Sequence, residues 1–144
     1  MIELHVTFRV GNADYAIPAT EVLHLESFDQ ATHVPGAPPY MIGLVHVRGR
    51  VVPVVDLRVR FGLPPAERNL DHRIVVVHYE ERVAALLVDA AREVIQLDPG
   101  TFEPPPELVE QQSQGFVRAV VTCAKRMFLL VDVPRVLGKE LTHG

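Results

Sequence analysis

Residues 43–64 read GLVHVRGRVVPVVDLRVRFGLP, and this stretch decides the fold. It holds two apolar runs, residues 43–47 and 50–57, which are short and rich in Val, as buried strands are. Pro53 lies inside the second run and has no N–H for a strand ladder, so we expect an edge strand or a bulge there. Arginines lie between the runs and just after them. The stretch predicts a basic hairpin that serves as a catalytic loop, a nucleic-acid contact or a docking surface.

The composition is that of one globular domain. The chain has 144 residues, of which 48% are hydrophobic, and a formal net charge of −4. A chain of this length buries roughly two-thirds of its unfolded surface, which is enough for a core. Twelve prolines and nine glycines predict many turns and few long helices.

Charge and hydropathy exclude several classes of protein. Nucleic-acid binders carry a basic footprint, and here acidic and basic residues are mixed along the chain. No apolar run reaches the roughly 18 residues of a membrane span. The N-terminus, MIELHVTFRVG, alternates and is charged, unlike a signal peptide. With a single cysteine there is no disulfide framework, and we expect a cytoplasmic protein.

Short strands with regular turn signals account for most of the chain. Residues 2–10 alternate between apolar and polar, and residues 73–90 and 116–133 each form a hairpin pattern. One helical turn is expected near residues 107–111, and a short C-terminal helix at 134–141 that begins with proline. The count of about ten strands predicts an all-β fold, either a small barrel or a sandwich.

The chain also resembles itself. EVLHL (21–25) matches EVIQL (93–97), and GLVHV (43–47) matches GFVRA (115–119), both at an offset of 72 residues. RVVPVVDL (50–57) matches RMFLLVDV (126–133) at an offset of 76, and RVRFG (58–62) lies over PRVLG (134–138). We therefore expect two related β-units within a single domain 1–144, approximately residues 1–70 and 71–144. Units this small should share an apolar interface.

The repeat separates structural residues from functional ones. Asp56 and Asp132 correspond, and each is expected to cap a short helix, although a catalytic aspartate pair is the alternative. Gly62 and Gly138 also correspond and fit helix C-caps. In the alignment Arg48 and its neighbour Gly49 have no counterpart, which makes Arg48 a functional candidate.

Signatures of enzymes are missing. The sequence contains no GxSxG, GxGxxG, P-loop or HExxH motif. His24 and His46 lie on predicted strands, but a metal site needs further ligands that the spacing does not supply. Cys123 lies in an apolar strand and is interpreted as a small buried residue. We expect neither catalysis nor a cofactor nor a metal.

Residues 34–64, VPGAPPYMIGLVHVRGRVVPVVDLRVRFGLP, resemble the core signature of CheW-like domains. That pattern is a Pro-Gly loop, an apolar run ending in Arg-Gly, an apolar run with a central proline that ends in Asp-Leu, and a short basic helix. The opening hairpin at 8–17, LLVD at 86–89, EVI at 93–95 and the closing hairpin extend the resemblance over nearly the whole chain. Because no kinase, receiver or receptor segment is attached, the chain is similar to the free-standing adaptor.

The resemblance implies a fold and a function. CheW-like domains are two SH3-like five-stranded β-barrels packed together, with the chain free to cross between them. They are non-enzymatic adaptors that couple the cytoplasmic tips of methyl-accepting chemoreceptors to a CheA-type histidine kinase, through its related regulatory domain. The resemblance thus implies a cytoplasmic protein recruited to membrane-bound receptor arrays.

The resemblance also implies an interface. The receptor tip is a helical hairpin in the groove between the barrels, and five positions match that groove: Val22, Gly43, Arg48, Gly49 and Val94. For the two glycines the alternative is a tight turn, and for the two valines it is core packing.

His24 marks a departure from the family. Members often place an acidic residue there, paired with the arginine that Arg48 matches, and a neutral histidine forms no bond of that strength. Glu26, two residues along on the same strand face, is the candidate substitute. His24 is therefore included in the predicted receptor and kinase interface.

Two alternatives to the chemotaxis adaptor are open at this point. One is a CheW-like adaptor of a paralogous pathway for surface motility, development or biofilm formation. The other is a β-barrel that binds a small ligand, for which a deep pocket joining His24, His46 and Glu26 would be diagnostic.

Overall fold

A computed structural model describes residues 1–64 and 70–138. Within them the chain forms ten strands and three short α-helices. The strands are β1 (Glu3–Val10), β2 (Ala13–Pro18), β3 (Val22–Ser27), β4 (Met41–Val47), β5 (Arg50–Asp56), β6 (Arg73–Tyr79), β7 (Arg82–Val88), β8 (Ala90–Leu97), β9 (Val117–Cys123) and β10 (Arg126–Val131). The helices are α1 (Leu57–Arg60), α2 (Glu107–Gln112) and α3 (Val133–Leu137).

The strands form two five-stranded sheets of the same design. Sheet A has the order β8-β1-β2-β10-β9, and sheet B has the order β3-β6-β7-β5-β4. One pair in each sheet is parallel, β2 with β10 and β5 with β7, and the other pairs are antiparallel. The predicted all-β fold of two packed five-stranded, SH3-like barrels is confirmed.

Three apolar clusters hold the molecule together. One lies inside sheet B and includes Ile74 and Val76, and one lies inside sheet A and includes Phe128. The third lies between the sheets and takes residues from both, among them Val75 and Val77 of β6. Since successive residues of a strand face opposite sides, β6 contributes to two clusters at once, which explains its unbroken run of apolar residues.

The chain crosses between the sheets twice. It passes from β2 in sheet A to β3 in sheet B, and from β7 in sheet B to β8 in sheet A. Sheet B is therefore one continuous stretch, whereas sheet A joins the first two strands to the last three. The approximate division into residues 1–70 and 71–144 does not coincide with the two sheets.

The strand pairs correct the register of the internal repeat. Val6 pairs with Val94 in sheet A, and the same place in sheet B is taken by Val75 paired with Leu25, so the offset is 69 residues. The EVLHL–EVIQL match at an offset of 72 is wrong: Val94 is equivalent to Leu25, not to Val22. The two sequences match at the wrong register because β3 and β8 both carry apolar residues on both faces.

The same correction applies to the basic turn. Val47 pairs with Arg50 in the β4–β5 hairpin, and Cys123 pairs with Arg126 in the β9–β10 hairpin. Arg48 and Gly49 therefore do have a counterpart, the turn Ala124–Lys125, and the expectation of none is wrong. The two turns share a shape but not a chemistry, because the second has no guanidinium.

Pro53 lies in an internal strand, so the edge-strand prediction is wrong. It is opposite Leu44 of β4, and the ladder between β5 and β7 begins only at Val54. The missing N–H therefore falls just outside the ladder that would have needed it. The irregularity in this hairpin lies on β4, between Met41 and Gly43.

The predicted helix caps are confirmed. Asp56 accepts from the Arg58 N–H at the start of α1, and Asp132 accepts from the Arg135 N–H at the start of α3. Gly62 and Gly138 have positive φ at the ends of these helices. Residues 139–141 of the predicted C-terminal helix lie outside the described residues.

The arginines of α1 face inward. The Arg58 guanidinium donates to both carboxylate oxygens of Asp89, with the shortest bond at 2.7 Å, and Asp89 also accepts from the Gly11 N–H. Burial alone would raise the pKa of Asp89, but these bonds and the Arg58 charge lower it overall. Arg60 donates to the Val136 carbonyl and lies 3.8 Å from the centre of the Tyr40 ring. Both side chains hold the two sheets together.

A buried histidine occupies the interior of sheet A. His5 is fully buried, its Nδ1 lies 3.2 Å from the Glu3 carbonyl, and its Nε2 has no partner among the described residues. Burial lowers the pKa of His5 and outweighs the opposing effects of the Glu3 carbonyl and carboxylate; Arg118 lowers it further. Ile74 fills the equivalent place in sheet B.

We expect this histidine to make the protein sensitive to acid. Because the folded-state pKa lies below 6.5, the unfolded chain binds the proton first, so stability is lost as pH falls below about 6.5. The free energy of unfolding, measured with denaturant at pH 7.5 and 5.5, should drop more for the wild type than for His5→Ile. Equal drops would assign the acid sensitivity to other groups.

Candidate functional site

The turn between β4 and β5 presents Arg48 and Gly49 to solvent. Both have positive φ, 52° for Arg48 and 82° for Gly49, as a two-residue type I′ turn requires. A Cβ on Gly49 would meet no atom within 4 Å, so nothing in the chain presses on this glycine. An arginine in a left-handed conformation costs about 1 kcal/mol relative to glycine or asparagine.

The Arg48 side chain reaches across to β3. Its Nε donates to Glu26 Oε1 at 3.0 Å, with the two side chains 64% and 33% exposed. β3 and β4 are the two edges of sheet B, so this ion pair spans the gap between them, which we call the seam. Glu26, named from the sequence as the candidate substitute, is the acidic partner of Arg48. An exposed pair of this kind stabilises the fold by at most about 1 kcal/mol.

Sheet A has a related ion pair at its own seam. Arg126 is bonded to Glu93, and their equivalents in sheet B are Arg50 and His24. In sheet B the carboxylate has thus moved two residues along its strand, to Glu26. The arginine that binds it is not Arg50 but Arg48, two residues earlier, in the turn. The histidine at position 24 is compensated within the same strand.

Two openings flank the ion pair. The larger is a cleft of about 840 Å³ along the seam, which we call the seam cleft; its lining includes segment 26–32, residues 44–48, Val51 and Ile74. The smaller, about 180 Å³, is lined by His24, Arg48 and Arg50 together with apolar residues. His24 and Arg48 are therefore neighbours, as the sequence predicts, with Gly49 beside them in the turn.

Gly43 lies apart from this surface and is buried. A Cβ placed on it would overlap the Thr32 carbonyl group and approach the side chain of Ala31. The close neighbour of Gly43 is therefore the protein's own chain, since Thr32 pairs with the adjacent Leu44.

Val22 and Val94 lie on different sheets. Val22 begins β3 and packs against the cluster between the sheets, whereas Val94 on β8 is 55% exposed. Two exposed leucines, Leu4 and Leu25, also lie on strand faces directed toward the cluster between the sheets. Leu25 is opposite Val75 of the inter-sheet cluster, and Leu4 is on the same face of β1 as Phe8.

We call Leu4, Val22, Leu25 and Val94 the apolar rim. A groove of about 420 Å³ beside Leu4 is also lined by Pro18 and Ala19, where the chain passes from sheet A to sheet B. Sequence reasoning missed Leu4 and Leu25. The repeat aligned at an offset of 69 would have shown that Leu25 is equivalent to Val94 and would have identified it.

The described residues do not form the converged polar pocket that would be diagnostic of a small-ligand binder. Glu26 and His46 line the seam cleft while His24 lines the smaller opening, so the three do not converge in one pocket. Among residues 1–64 and 70–138, no three His, Cys, Asp or Glu side chains are placed to hold a metal ion. Over the same residues, no helix is both long and apolar enough to cross a membrane.

Comparisons with known proteins place this geometry in a family. The family model described as CheW-like domain matches residues 4–141. The chain is 34% identical over 142 residues to a Bacillus subtilis protein named "Chemotaxis protein CheW", which covers 99% of this chain and 91% of that one. A protein of the same name from Rhizobium meliloti is 32% identical over 135 residues, or 94% of this chain and 87% of that one.

A solved structure agrees with the sequence comparison. The crystal structure of the scaffolding protein TtCheW from Thermoanaerobacter tengcongensis matches with a TM-score of 0.88 and 28% identity, covering 96% of this chain and 94% of that one. Relatives of this kind are scaffolds and adaptors, not enzymes. The chain belongs to the family of CheW-like domains.

Proposed function

We propose that this protein is a chemotaxis adaptor that couples the cytoplasmic tips of methyl-accepting chemoreceptors to a CheA-type histidine kinase. The observation that carries the proposal is the match to chemotaxis proteins named CheW over 94% and 99% of this chain. Such an adaptor works by presenting surfaces, and several modest contacts in one assembly add through avidity. Binding to receptors would recruit the protein to their arrays at the membrane.

The apolar rim supports a receptor contact. Leu25 and Val94 hold equivalent positions on the two sheets and are 45% and 55% exposed, at the margins of the inter-sheet cluster. Exposed apolar side chains grouped in this way are typical of protein interaction sites. A helical hairpin offers two apolar edges, which fits a surface built from two equivalent strands.

Arg48 supports a second, polar contact. Its guanidinium is largely exposed and, among residues 1–64 and 70–138, uses one of its five N–H groups on Glu26, which leaves further donors for a partner carboxylate. Arginine is enriched among residues that dominate binding energy. We assign the interface to Arg48 and Gly49 at the turn, to the neighbouring His24 of β3, and to Val22 and Val94 at the rim. Gly43 supports the strand beneath.

Co-sedimentation with a receptor signalling fragment and the kinase tests the role of Arg48. We expect Arg48→Asn to weaken assembly about tenfold, since it removes the guanidinium yet suits the left-handed turn. The matched variant Glu26→Gln breaks the same ion pair but leaves the arginine free. It should assemble as well as the wild type, and thermal melts of both should lie close to that of the wild type.

Each other outcome has a definite meaning. Equal losses in both variants would mean that the ion pair acts by holding the seam, not by direct contact. If the wild type joins no receptor and kinase pair from its own organism, the proposed function is wrong, however close the fold.

A further inference from the structure

The seam cleft has a feature that the adaptor function does not use. β3 and β4 are the open edges of sheet B, and two connections cross near the seam: the Glu26–Arg48 ion pair and a bridge between Thr32 and Leu44. Between these two connections lies a cleft of about 840 Å³.

The backbone of β4 points into this cleft at one residue. In a two-residue hairpin the residues flanking the turn exchange backbone bonds, and bonded and non-bonded pairs then alternate along the strand. Val47 flanks the turn, so His46 and Leu44 turn their N–H and C=O groups away from β5. Pro53, opposite Leu44, agrees with this register because that pair needs no N–H from β5.

The outward-facing backbone groups of Leu44 and His46 differ in their hydrogen bonding. Leu44 bonds to Thr32 through both its N–H and its C=O, each at 2.8 Å. No backbone partner for the outward groups of His46 is present among the described residues. β4 also contains no proline, lysine or other charged residue of the kind that protects an exposed edge.

We propose that the seam cleft is a docking site for an extended, basic segment of a partner protein, which adds a strand to β4 through the backbone of His46. A donor and an acceptor two residues beyond an existing bridge have the spacing of a β-strand, which neither a helix nor a small molecule reproduces.

The charge of the cleft selects a basic segment. Three charged side chains of the described part of the chain line it, and Glu26 and Arg48 neutralise each other. Asp29, the third, is exposed and forms no ion pair within residues 1–64 and 70–138. A lysine or arginine on the incoming strand would complement it. This site is separate from the apolar rim, because its lining includes none of the rim residues.

A synthetic heptapeptide of alternating Thr and Val with a central Lys is the probe. We expect it to shift the His46 amide signal in ¹⁵N–¹H spectra and to slow the hydrogen exchange of that amide. A twin N-methylated at two consecutive central residues should bind at least tenfold more weakly, because both of its backbone edges are blocked. Asp29→Asn should reduce the preference for Lys over Glu at the central position.

Two protein variants isolate the backbone group. His46→Pro removes the outward N–H while sparing the ladder with β5, and His46→Thr changes only the side chain. Binding that survives in the threonine variant and is lost in the proline variant supports the proposal. If the proline variant fails to fold, the N-methylated twin decides.

Several results would overturn the proposal. These are equal binding of the two peptides, signal changes confined to the apolar rim, and a His46 shift that depends on protein concentration without peptide. The last result would assign the seam to a second copy of this chain.

Discussion

A fragment of residues 1–70 should fail to fold, whereas a fragment of nearly the same length, residues 19–89, should retain a sheet whose amides are protected from hydrogen exchange. We expect this contrast because sheet B is one continuous stretch, from β3 to β7, while residues 1–70 contain no complete sheet. Within residues 1–70, β1 and β2 lack β8 and β10, and β3 lacks β6. Hydrogen exchange and circular dichroism on the two fragments measure the difference.

The expected loss of stability follows from the apolar surface that each fragment can no longer bury. Cutting at residue 70 exposes the cluster between the sheets and also leaves each sheet incomplete, so the burial that offsets chain entropy is lost. The fragment 19–89 loses only the cluster between the sheets, and we expect it to be weakly stable and prone to associate through that face. Mixing residues 1–70 with 71–144 should restore the fold. Independent, cooperative folding of either half would contradict the topology.

Gly43→Ala should destabilise the protein more than any other substitution proposed above. The added Cβ would overlap the Thr32 carbonyl group, which is backbone and can move only if the bridge between Thr32 and Leu44 breaks. We expect a loss of about 3 kcal/mol in the free energy of unfolding, or roughly 10 °C in Tm.

Gly36→Ala is the matched control. Gly36 also has positive φ, at 82°, but a Cβ there would meet nothing within 4 Å, so this variant carries only the backbone strain of about 1 kcal/mol. Denaturant titration gives the free energy of unfolding of both variants. The difference between them measures the cost of the steric overlap beyond that of the backbone strain. If Gly43→Ala is no less stable than Gly36→Ala but fails to join the receptor and kinase, the glycine contacts the partner directly.

Local sequence rules predicted the elements well. Alternation, turn signals and the paired aspartates and glycines indicated the strands, the helix caps and the existence of a repeat, because each depends on neighbours in the chain. They do not determine where the chain crosses between the sheets, since apolar strands pair equally well within either half. The prediction for Pro53 failed because the β5–β7 ladder starts one residue later, which no local signal encodes.

The candidate site was predictable in part. Arg48, Gly49 and His24 come together as expected. Glu26 was identified because the resemblance implies an acidic partner for the arginine and strand periodicity places Glu26 on the same face as His24. Leu4 and Leu25 were missed, because leucines on a half-buried strand are normally interpreted as core residues. The correct register of the repeat would have identified Leu25 as a site residue. That register is fixed by pairings between strands far apart in sequence.

The double crossing of the chain carries an evolutionary consequence. Two copies of one unit of about 70 residues, each lending its opening hairpin to the other, would assemble the same two sheets with the same strand orders. Joining the end of the first copy to the start of the second would then need no rearrangement. The present chain has the topology of a hairpin-swapped dimer joined into a single chain.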